Sequence, residues 1–561
     1  MFKEQIALAL AKHLQVKKGE ILAQLEKPRY SNLGDLAFPC FSLAKQQKKN
    51  PFEIASELAE KIYPIKGVEK IQPLGGYVNF FVNKKVLGKE IITKILHEKN
   101  RFGSTKEGKG KKVVVEFSSP NIAKPMSIGH LRSTVIGNSL MKIFSFLGYK
   151  CISINYLGDY GTQFGALLVA YKRWGAEVEK EMQKNPISAL LKLYTRFSSE
   201  VEKNPELEEA ARAEFRKLES KDKETIKLWK TFRDFSIQEF KRFYKTFSID
   251  FDVYSGESFY SEQAKKIIQE MIDKKVATKS AGALIVQLKE SPLLVQKSDG
   301  STLYSTRDLA AAKDRYEKYR FDRMIYVVGS EQNLYFRQLF KTLELLGYEW
   351  AKNCVHANFG MIYLPSGKIS TRKGTLVFVE EVLEKIFELT RKFVAKENLS
   401  EKEKEKISKA VGISALIYSD LSNDRIKDIC FDWNNILRLE GDSGPYIQYT
   451  YARAKSILRK SEKSEKFHVP SLPLTEEEKS LVIDLSEFPY MVKDAADHFS
   501  PHIIANYMLK LSDNFNSFYE RCPVMRAEKA TRQSRIALTT AAAQIIHNCM
   551  VLLGMIPLEK M

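Results

Sequence analysis

The segment at 113–117, VVVEF, is an apolar run of strand length that opens directly into SSPNIAKPMSIGHLRST at 118–134. Two opening serines, two prolines, a lysine and a Gly-His pair cannot continue a strand, so the stretch reads as a binding loop. Beyond it Leu131, Val135, Leu140, Ile143, Phe144 and Leu147 recur at three- and four-residue steps up to Gly148, the pattern of a helix with one buried face. CISINY at 151–156 then supplies a second strand. Strand, loop, helix and strand make a βαβ unit, which builds parallel sheets with a crevice at the carboxyl ends of the strands.

The rest of the chain is organised around that unit. At 561 residues it exceeds the roughly 250–300 at which one core stops growing, so about three domains are expected. Residues 1 to about 103 mix helical patterns such as PFEIASELAEKIYPI with the strand-like GYVNFFVNK, an α+β N-terminal domain. STKEGKGKK, after residue 103, reads as an exposed linker. A Rossmann-type α/β domain is assigned to 111–429, interrupted at 165 to about 262 by charge-rich helical segments that read as an insertion. Its α/β pattern resumes with ALIVQL, the helix STRDLAAAKDRYEKY and the strand RMIYVVG, followed by the Gly/Ser/Lys-rich GKISTRKGT. From 430 to 561 the periodicity is almost wholly helical, an all-α C-terminal bundle.

A formal net charge of +20 favours polyanionic partners, nucleic acid before anionic membrane. The six cysteines are far apart and form no C-x-x-C pair, so neither zinc nor a disulfide framework is expected, and no metal ligands are assigned. The N-terminus interrupts its apolar positions with Lys, Glu and His, unlike a secretion signal, and no continuous run approaches the roughly 18 apolar residues of a membrane span. A cytoplasmic location without membrane association is expected.

A helix that follows a strand presents unpaired N–H groups and a positive dipole end, a place suited to phosphate. Gly129 lets a flat ligand approach the backbone, and His130 can donate to a phosphate oxygen or carry positive charge. The competing reading makes Ser119 the helix cap and His130 a packed side chain. Glu116 ends an apolar strand, where an unpaired carboxylate is costly, so it should have a cationic partner. Asp308 falls in S-T-R-D, which reads equally as a capping box opening a helix or as a ligand carboxylate.

VEFSSPNIAKPMSIGHLRST resembles the HIGH signature region of class I aminoacyl-tRNA synthetases, and that of arginyl-tRNA synthetases in particular. NYLGDYGTQFG, LYSTRDLAAAKDRYEKY, YVVGSEQNLYFRQLF, KISTRKGT, GPYIQYTYAR and LLGMIP are similar to the same family in the same order. Two positions depart from it: Ser127 stands where HIGH begins with His, and KISTR replaces KMSKS, with Thr371 in place of the second lysine.

The resemblance implies an ATP-dependent arginine–tRNA ligase whose partners are L-arginine, MgATP and the arginine tRNA, with Mg²⁺ carried by the nucleotide. It implies catalytic roles for His130, Lys368, Ser370, Arg372 and Lys373, with Lys124 compensating for the altered second signature. ATP would lie against Ser119, Pro120, Asn121, Gly129 and His130. Arginine would be held by Glu116, Tyr304 and Asp308 at the guanidinium, by Asn121 and Gln332 at its ammonium and carboxylate ends, and beside Ser127. A planar guanidinium calls for carboxylates that meet its fork, which is why the acidic pair is singled out. The N-terminal domain, through NLGDLAFPCFSLAK, would touch the tRNA elbow and the helical domain would read the anticodon. Tyr446, Tyr449 and Tyr451, beside Arg453 and Lys455, are the candidates to stack on unpaired bases. The family further implies that tRNA is needed for amino-acid activation, and a monomer is expected. Two alternatives remain at this point: a catalytically impaired tRNA-binding paralogue, motivated by Ser127 and Thr371, and another class I synthetase or nucleotidyltransferase.

Overall fold

The computed structural model describes residues 2–364, 367–368, 378–395, 399–432, 436–438, 440–461 and 474–561. Its centre is a five-stranded, all-parallel sheet. In spatial order the strands are Cys354–His356, Arg323–Tyr326, Lys112–Glu116, Lys150–Leu157 and Val253–Gly256. Numbered along the chain this is the order 3-2-1-4-5 read from the far edge, the doubly wound arrangement. The chain reverses direction across the sheet between Lys112–Glu116 and Arg323–Tyr326, so a crevice opens beyond Glu116 and Tyr326.

The first strand is buried on both faces, as its unbroken valines require: Val113, Val114 and Val115 are all inaccessible to solvent. The helix that follows, Ile128–Phe146, packs on the sheet so closely that a Cβ on Gly137 would lie 2.2 Å from Phe117. The helix ends at Leu147, and Gly148 takes a left-handed φ of +86° with Thr105 O filling the space a side chain would need. The supposed linker is therefore anchored here: Gly108 is buried beneath Tyr149, and its N–H donates to Leu147 O at 3.0 Å.

Two features depart from the pattern expected of the sequence. Val253–Gly256 lies inside the stretch assigned to the helical insertion, yet it is the edge strand of the central sheet. The insertion helices are thus the crossover between two neighbouring parallel strands. ALIVQL does not join that sheet; Ala283–Val286 is the middle strand of a separate antiparallel sheet with Ala277–Ser280 and Leu293–Gln296.

The N-terminal domain sets helices against an antiparallel sheet ordered Leu36–Pro39, Tyr77–Val82, Val68–Leu74. Helix Pro51–Ile62 starts where Asn50 accepts the Phe52 N–H at 2.9 Å and Pro51 occupies the first turn. The C-terminal bundle comprises Gly444–Lys460, Glu476–Asp497, His502–Arg521 and Lys529–Leu553. The second of these is opened by a reciprocal cap in which Thr475 N–H donates to Glu478 Oε2 at 2.9 Å. Lys529–Leu553 is long and apolar enough to cross a membrane, although polar residues interrupt its apolar run. However, 78% of its most apolar window is buried inside the molecule, the pattern of a core helix.

Helix Ile128–Phe146 joins the sheet to this bundle. Ser139 Oγ donates to Leu552 O at 3.0 Å, and Gly554, at φ +84°, abuts Asn138. On another side of the same helix the fully buried Arg132 donates to the carbonyls of Gly360 at 2.7 Å and Lys427 at 3.0 Å, with Asp420 3.6 Å from its Nε. Gly137→Ala should force Phe117 and the strand end apart at a cost of about 1–3 kcal/mol. The check is a lowered unfolding midpoint in a thermal or denaturant scan beside wild type.

Candidate active site

The turn from Glu116 into the helix is backbone-strained. Ser118, Ser119 and Ala123 have φ of +70°, +46° and +60°, a left-handed region that non-glycine residues rarely adopt. Partners from the insertion helix Lys223–Thr246 hold it there: Ala123 N–H donates to Ser236 Oγ at 2.8 Å, and Ser118 Oγ is 2.8 Å from Tyr244 Oη. Ser118 N–H also donates to Ser133 Oγ at 2.9 Å. Asn121 pairs with Gly158 as an isolated parallel bridge, its side chain lying over a position where any Cβ would come within 2.0 Å of Asn121 Oδ1. Pro120 O accepts from Gly158 N–H at 3.1 Å, and Ser119 Oγ is buried without a hydrogen-bond partner among the described residues.

The helix cap is Ser127 and not Ser119. Ser127 has an extended backbone at the N-cap, and His130, three residues on, accepts the Ser127 N–H on Nδ1 at 3.1 Å. Ser127 Oγ lies 2.9 Å from the same nitrogen. With Nδ1 accepting, the ring proton of the neutral imidazole sits on Nε2, available as a donor. Burial lowers the His130 pKa to about 4, so the positively charged form considered for it does not arise near neutral pH. Ser127 thus orients the histidine. Gly129 has no atom within 4 Å of where a Cβ would stand except Ser127 Oγ at 3.7 Å. Among the described residues no packing accounts for that glycine, and the space in front of the helix N-terminus is open.

Across the crevice lies an acidic cluster. Glu116 is 5% exposed, and its expected cationic partner is Arg315, whose Nη1 lies 2.5 Å from Oε2. Arg315 is seven residues beyond Asp308 on helix Tyr304–Tyr319, two turns along one face. Its guanidinium also lies over Tyr156, 4.9 Å from the ring centre. Burial raises the Glu116 pKa, opposed by Arg315 and reinforced by Asp308. Asp308 accepts the Tyr335 hydroxyl at 2.5 Å; burial raises its pKa against the pull of that hydrogen bond, Arg315, Tyr156 and Arg307. Tyr304 opens the helix, half exposed, with its ring edge-on to Tyr335 at 5.1 Å. The capping box read into S-T-R-D is absent. The helix begins before it, Leu303 is the cap position, and Ser305 Oγ donates to Leu294 O at 2.7 Å.

Sequence reasoning missed Glu257, which lay within the stretch assigned to the insertion. It follows the edge strand directly, and Asp159 fixes its turn by accepting both the Ser258 N–H at 2.8 Å and the Ser258 hydroxyl at 2.7 Å. Arg307 donates to Glu257 Oε2 from Nη2 at 2.7 Å and from Nε at 3.0 Å. Burial raises the Glu257 pKa to about 7, against Arg307 and with a push from Asp308. Glu116, Glu257 and Asp308 all act on Tyr156, together with Arg315. Among the described residues the three carboxyls Glu116, Glu257 and Asp308 face the two guanidiniums of Arg307 and Arg315, one cation short when every acid is ionised.

Gln332 is exposed in the turn Ser330–Gln332, at the crevice lip beyond strand Arg323–Tyr326. Lys124 lies with its ammonium over the Tyr194 ring, 4.8 Å from its centre. The backbone of Lys368 pairs with Tyr363 in a short hairpin. Ser370, Thr371, Arg372 and Lys373 lie outside the described residues. Where the chain resumes, Phe378 bridges to Ser127 and Val379 N–H donates to Met126 O at 2.9 Å. Phe378 and Val379 therefore lie beside the cap of the helix.

Residues 91–433 match the class I (R) tRNA synthetase catalytic domain, 1–82 the arginyl tRNA synthetase N-terminal domain, and 447–561 the DALR anticodon binding domain. The chain belongs to the arginyl-tRNA synthetase family. It is 48% identical to the arginine–tRNA ligase of Clostridioides difficile and 44% identical to that of Clostridium perfringens, over 100% of both chains in each case. Among solved structures it is similar to the Thermus thermophilus arginyl-tRNA synthetase, with a TM-score of 0.85 at 24% identity over 100% of each chain. The Plasmodium falciparum enzyme gives 0.82 at 25% identity, over 100% of this chain and 99% of that one.

The bundle residues singled out as RNA contacts divide. Arg453 lies over the exposed ring of Tyr449 at 4.8 Å and over that of Tyr519, which sequence reasoning missed, at 5.2 Å. Tyr446 Oη donates to Asp513 at 2.7 Å. Tyr451 is 4% exposed and belongs to the core, and Lys455 is paired with Glu559 at 2.8 Å, so neither presents a free face for stacking.

Because Glu257 titrates near neutrality, a cationic ligand bound beside it competes with a proton. Falling pH through about 7 protonates the carboxyl and should raise the KM for such a ligand, while above 7 the KM levels off. Glu257→Gln should flatten that profile at the high value, as measured by initial rates between pH 6 and 8.5.

Proposed function

We propose that this chain activates L-arginine with MgATP and transfers it to the 3′-terminal adenosine of the arginine tRNA, and that its site residues act as follows. The arginine guanidinium enters the acidic cluster and supplies the missing cation, held by Asp308 and Glu257 with Tyr304 at the entrance. Glu116, already matched by Arg315, fixes the floor of the pocket. The charge imbalance of that cluster carries the substrate assignment. A lysine ammonium offers one point charge instead of a fork and leaves polar groups unpaired, a loss that can reject an analogue by about 10⁴–10⁵ without editing.

The nucleotide lies along Ser119, Pro120 and Asn121 and against bare Gly129, with its phosphates at the N-terminus of helix Ile128–Phe146. Asn121 and Gln332 take the ammonium and carboxylate ends of arginine. The carboxylate then attacks the α-phosphorus, and the bond to the bridging oxygen breaks to release pyrophosphate. Negative charge grows on the phosphate oxygens in that step, and it is met by the His130 Nε2–H, by the helix N–H groups and by Lys124. Lys368, Ser370, Arg372 and Lys373 belong to the same proposal, supported by the anchoring of their segment at Phe378 beside Ser127. Mg²⁺ arrives with the triphosphate. A hydroxyl of the terminal adenosine next attacks the arginyl carbonyl and displaces AMP.

The exposed rings of Tyr449 and Tyr519, with Arg453 between them and held by Asn516 Oδ1 at 2.7 Å, form an aromatic–cation face on the bundle suited to unpaired bases, and the N-terminal domain takes the tRNA elbow. The reading includes activity as a monomer in the cytoplasm. Arginine- and tRNA-dependent pyrophosphate exchange tests the whole proposal; its absence with wild-type protein would refute it. Asp308→Ala should lower kcat/KM for arginine by more than 10²-fold while ATP binding, followed by calorimetry, persists. Arg453→Ala should weaken tRNA binding and reduce the slope of log K against log salt by roughly 0.7–0.9 if that guanidinium meets one phosphate.

A further inference from the structure

Lys124 sits in the loop that the reading above assigns to the triphosphate, yet its side chain is turned elsewhere. Its ammonium makes no hydrogen bond or ion pair among the described residues and faces the ring of Tyr194, on insertion helix Pro186–Val201, at 4.8 Å. Lys124 also lines a cavity of about 300 Å³ between the insertion and the start of helix Val379–Val394, together with Met126, Leu191, Phe240 and Phe378. Neither Gly129 and His130 nor Glu116 and Asp308 line that cavity. Two of its carboxylates are already engaged: Glu239 accepts from Arg242 Nη1 at 3.1 Å and Glu381 accepts the Phe378 N–H at 3.4 Å.

We propose that Tyr194 is a positioning residue whose ring holds the Lys124 side chain in reserve, outside the nucleotide crevice, until MgATP draws the ammonium across. The inference rests on the assignment of Lys124 to the phosphates. The backbone on both sides is fixed, Ala123 by Ser236 and Met126 by Val379, so the exchange is a rotation of one flexible side chain. A half-desolvated ammonium over an aromatic face is favoured by about two- to thirtyfold, enough to bias a resting position and small enough for a triphosphate to overcome. The insertion thereby tunes nucleotide affinity without touching the nucleotide.

The test compares wild type, Tyr194→Leu, Tyr194→Phe and each change on a Lys124→Ala background in pyrophosphate exchange with arginine and tRNA present. Loss of the ring in Tyr194→Leu should lower the KM for ATP by about two- to thirtyfold. Tyr194→Phe, which keeps the aromatic face, should restore the wild-type KM, and the Lys124→Ala background should erase the difference. A Tyr194→Leu enzyme with unchanged KM, or one as impaired as Lys124→Ala, overturns the proposal, the latter by making the ring the working seat of the lysine. Wild-type protein inactive in the exchange would instead overturn the functional reading. Should the leucine variant fail to fold, ¹³C-methylated wild-type lysines read by NMR give the answer directly. The resonance missing from Lys124→Ala should be shifted upfield by the ring current in free protein and return to the ordinary lysine position on adding MgATP and arginine. A resonance at the ordinary position from the start, or one unmoved by the nucleotide, refutes the reserve position.

Discussion

The turn between Glu116 and Ile128 is the constraint on which the rest of the molecule depends. Three left-handed residues in six positions cost of order 1–3 kcal/mol each, and such a turn persists only when its surroundings dictate it. Ser236 and Tyr244 do so from a helix more than 100 residues away in sequence, and Ser133 does so from the helix the turn introduces. The result is a helix N-terminus set at the mouth of the sheet with its first glycine uncovered. The insertion is therefore the clamp that holds this end of the crevice in shape.

At the opposite end the controlling quantity is charge. Carboxyls buried near one another raise each other's pKa, and a pocket holding three of them without cations would simply bind protons. Arg307 and Arg315 keep the cluster near ionisation while leaving it one positive charge short. In the proposed function a guanidinium ligand completes the set with the same group that the protein uses to balance it. Asp159 holds the arrangement from behind: it takes both donors of Ser258 and so fixes the adjoining Glu257.

Much of this was legible in the chain. The apolar strand, the helical period from Leu131 and the following strand fixed the position of the crevice, because local periodicity survives folding. Glu116 at a buried strand end demanded a cation, and Arg315 supplies it. What periodicity does not carry is proximity. Glu257 looked like part of a helical insertion because its strand has only four residues, and its turn partner lies 99 residues earlier. The S-T-R-D sequence has the pattern of a cap, but Ser305 is engaged by a carbonyl of the small antiparallel sheet, and the helix starts before it. Ser127 is a departure from the family signature that the structure turns to use, since a hydroxyl at the N-cap reaches the ring nitrogen of His130. Tyr451 illustrates the converse, an aromatic beside cations in sequence that faces the bundle core in space.

Helix Ile128–Phe146 is about 28 Å long at 1.5 Å per residue, with its first turn at the crevice and its middle pinned to the end of Lys529–Leu553 through Ser139 and Asn138. A rod buried along nearly its whole length neither bends nor slides by small steps. Load applied to the bundle is consequently borne by the same strut whose tip carries Ser127 and His130, and a push at one extremity is mechanically inseparable from alignment at the other.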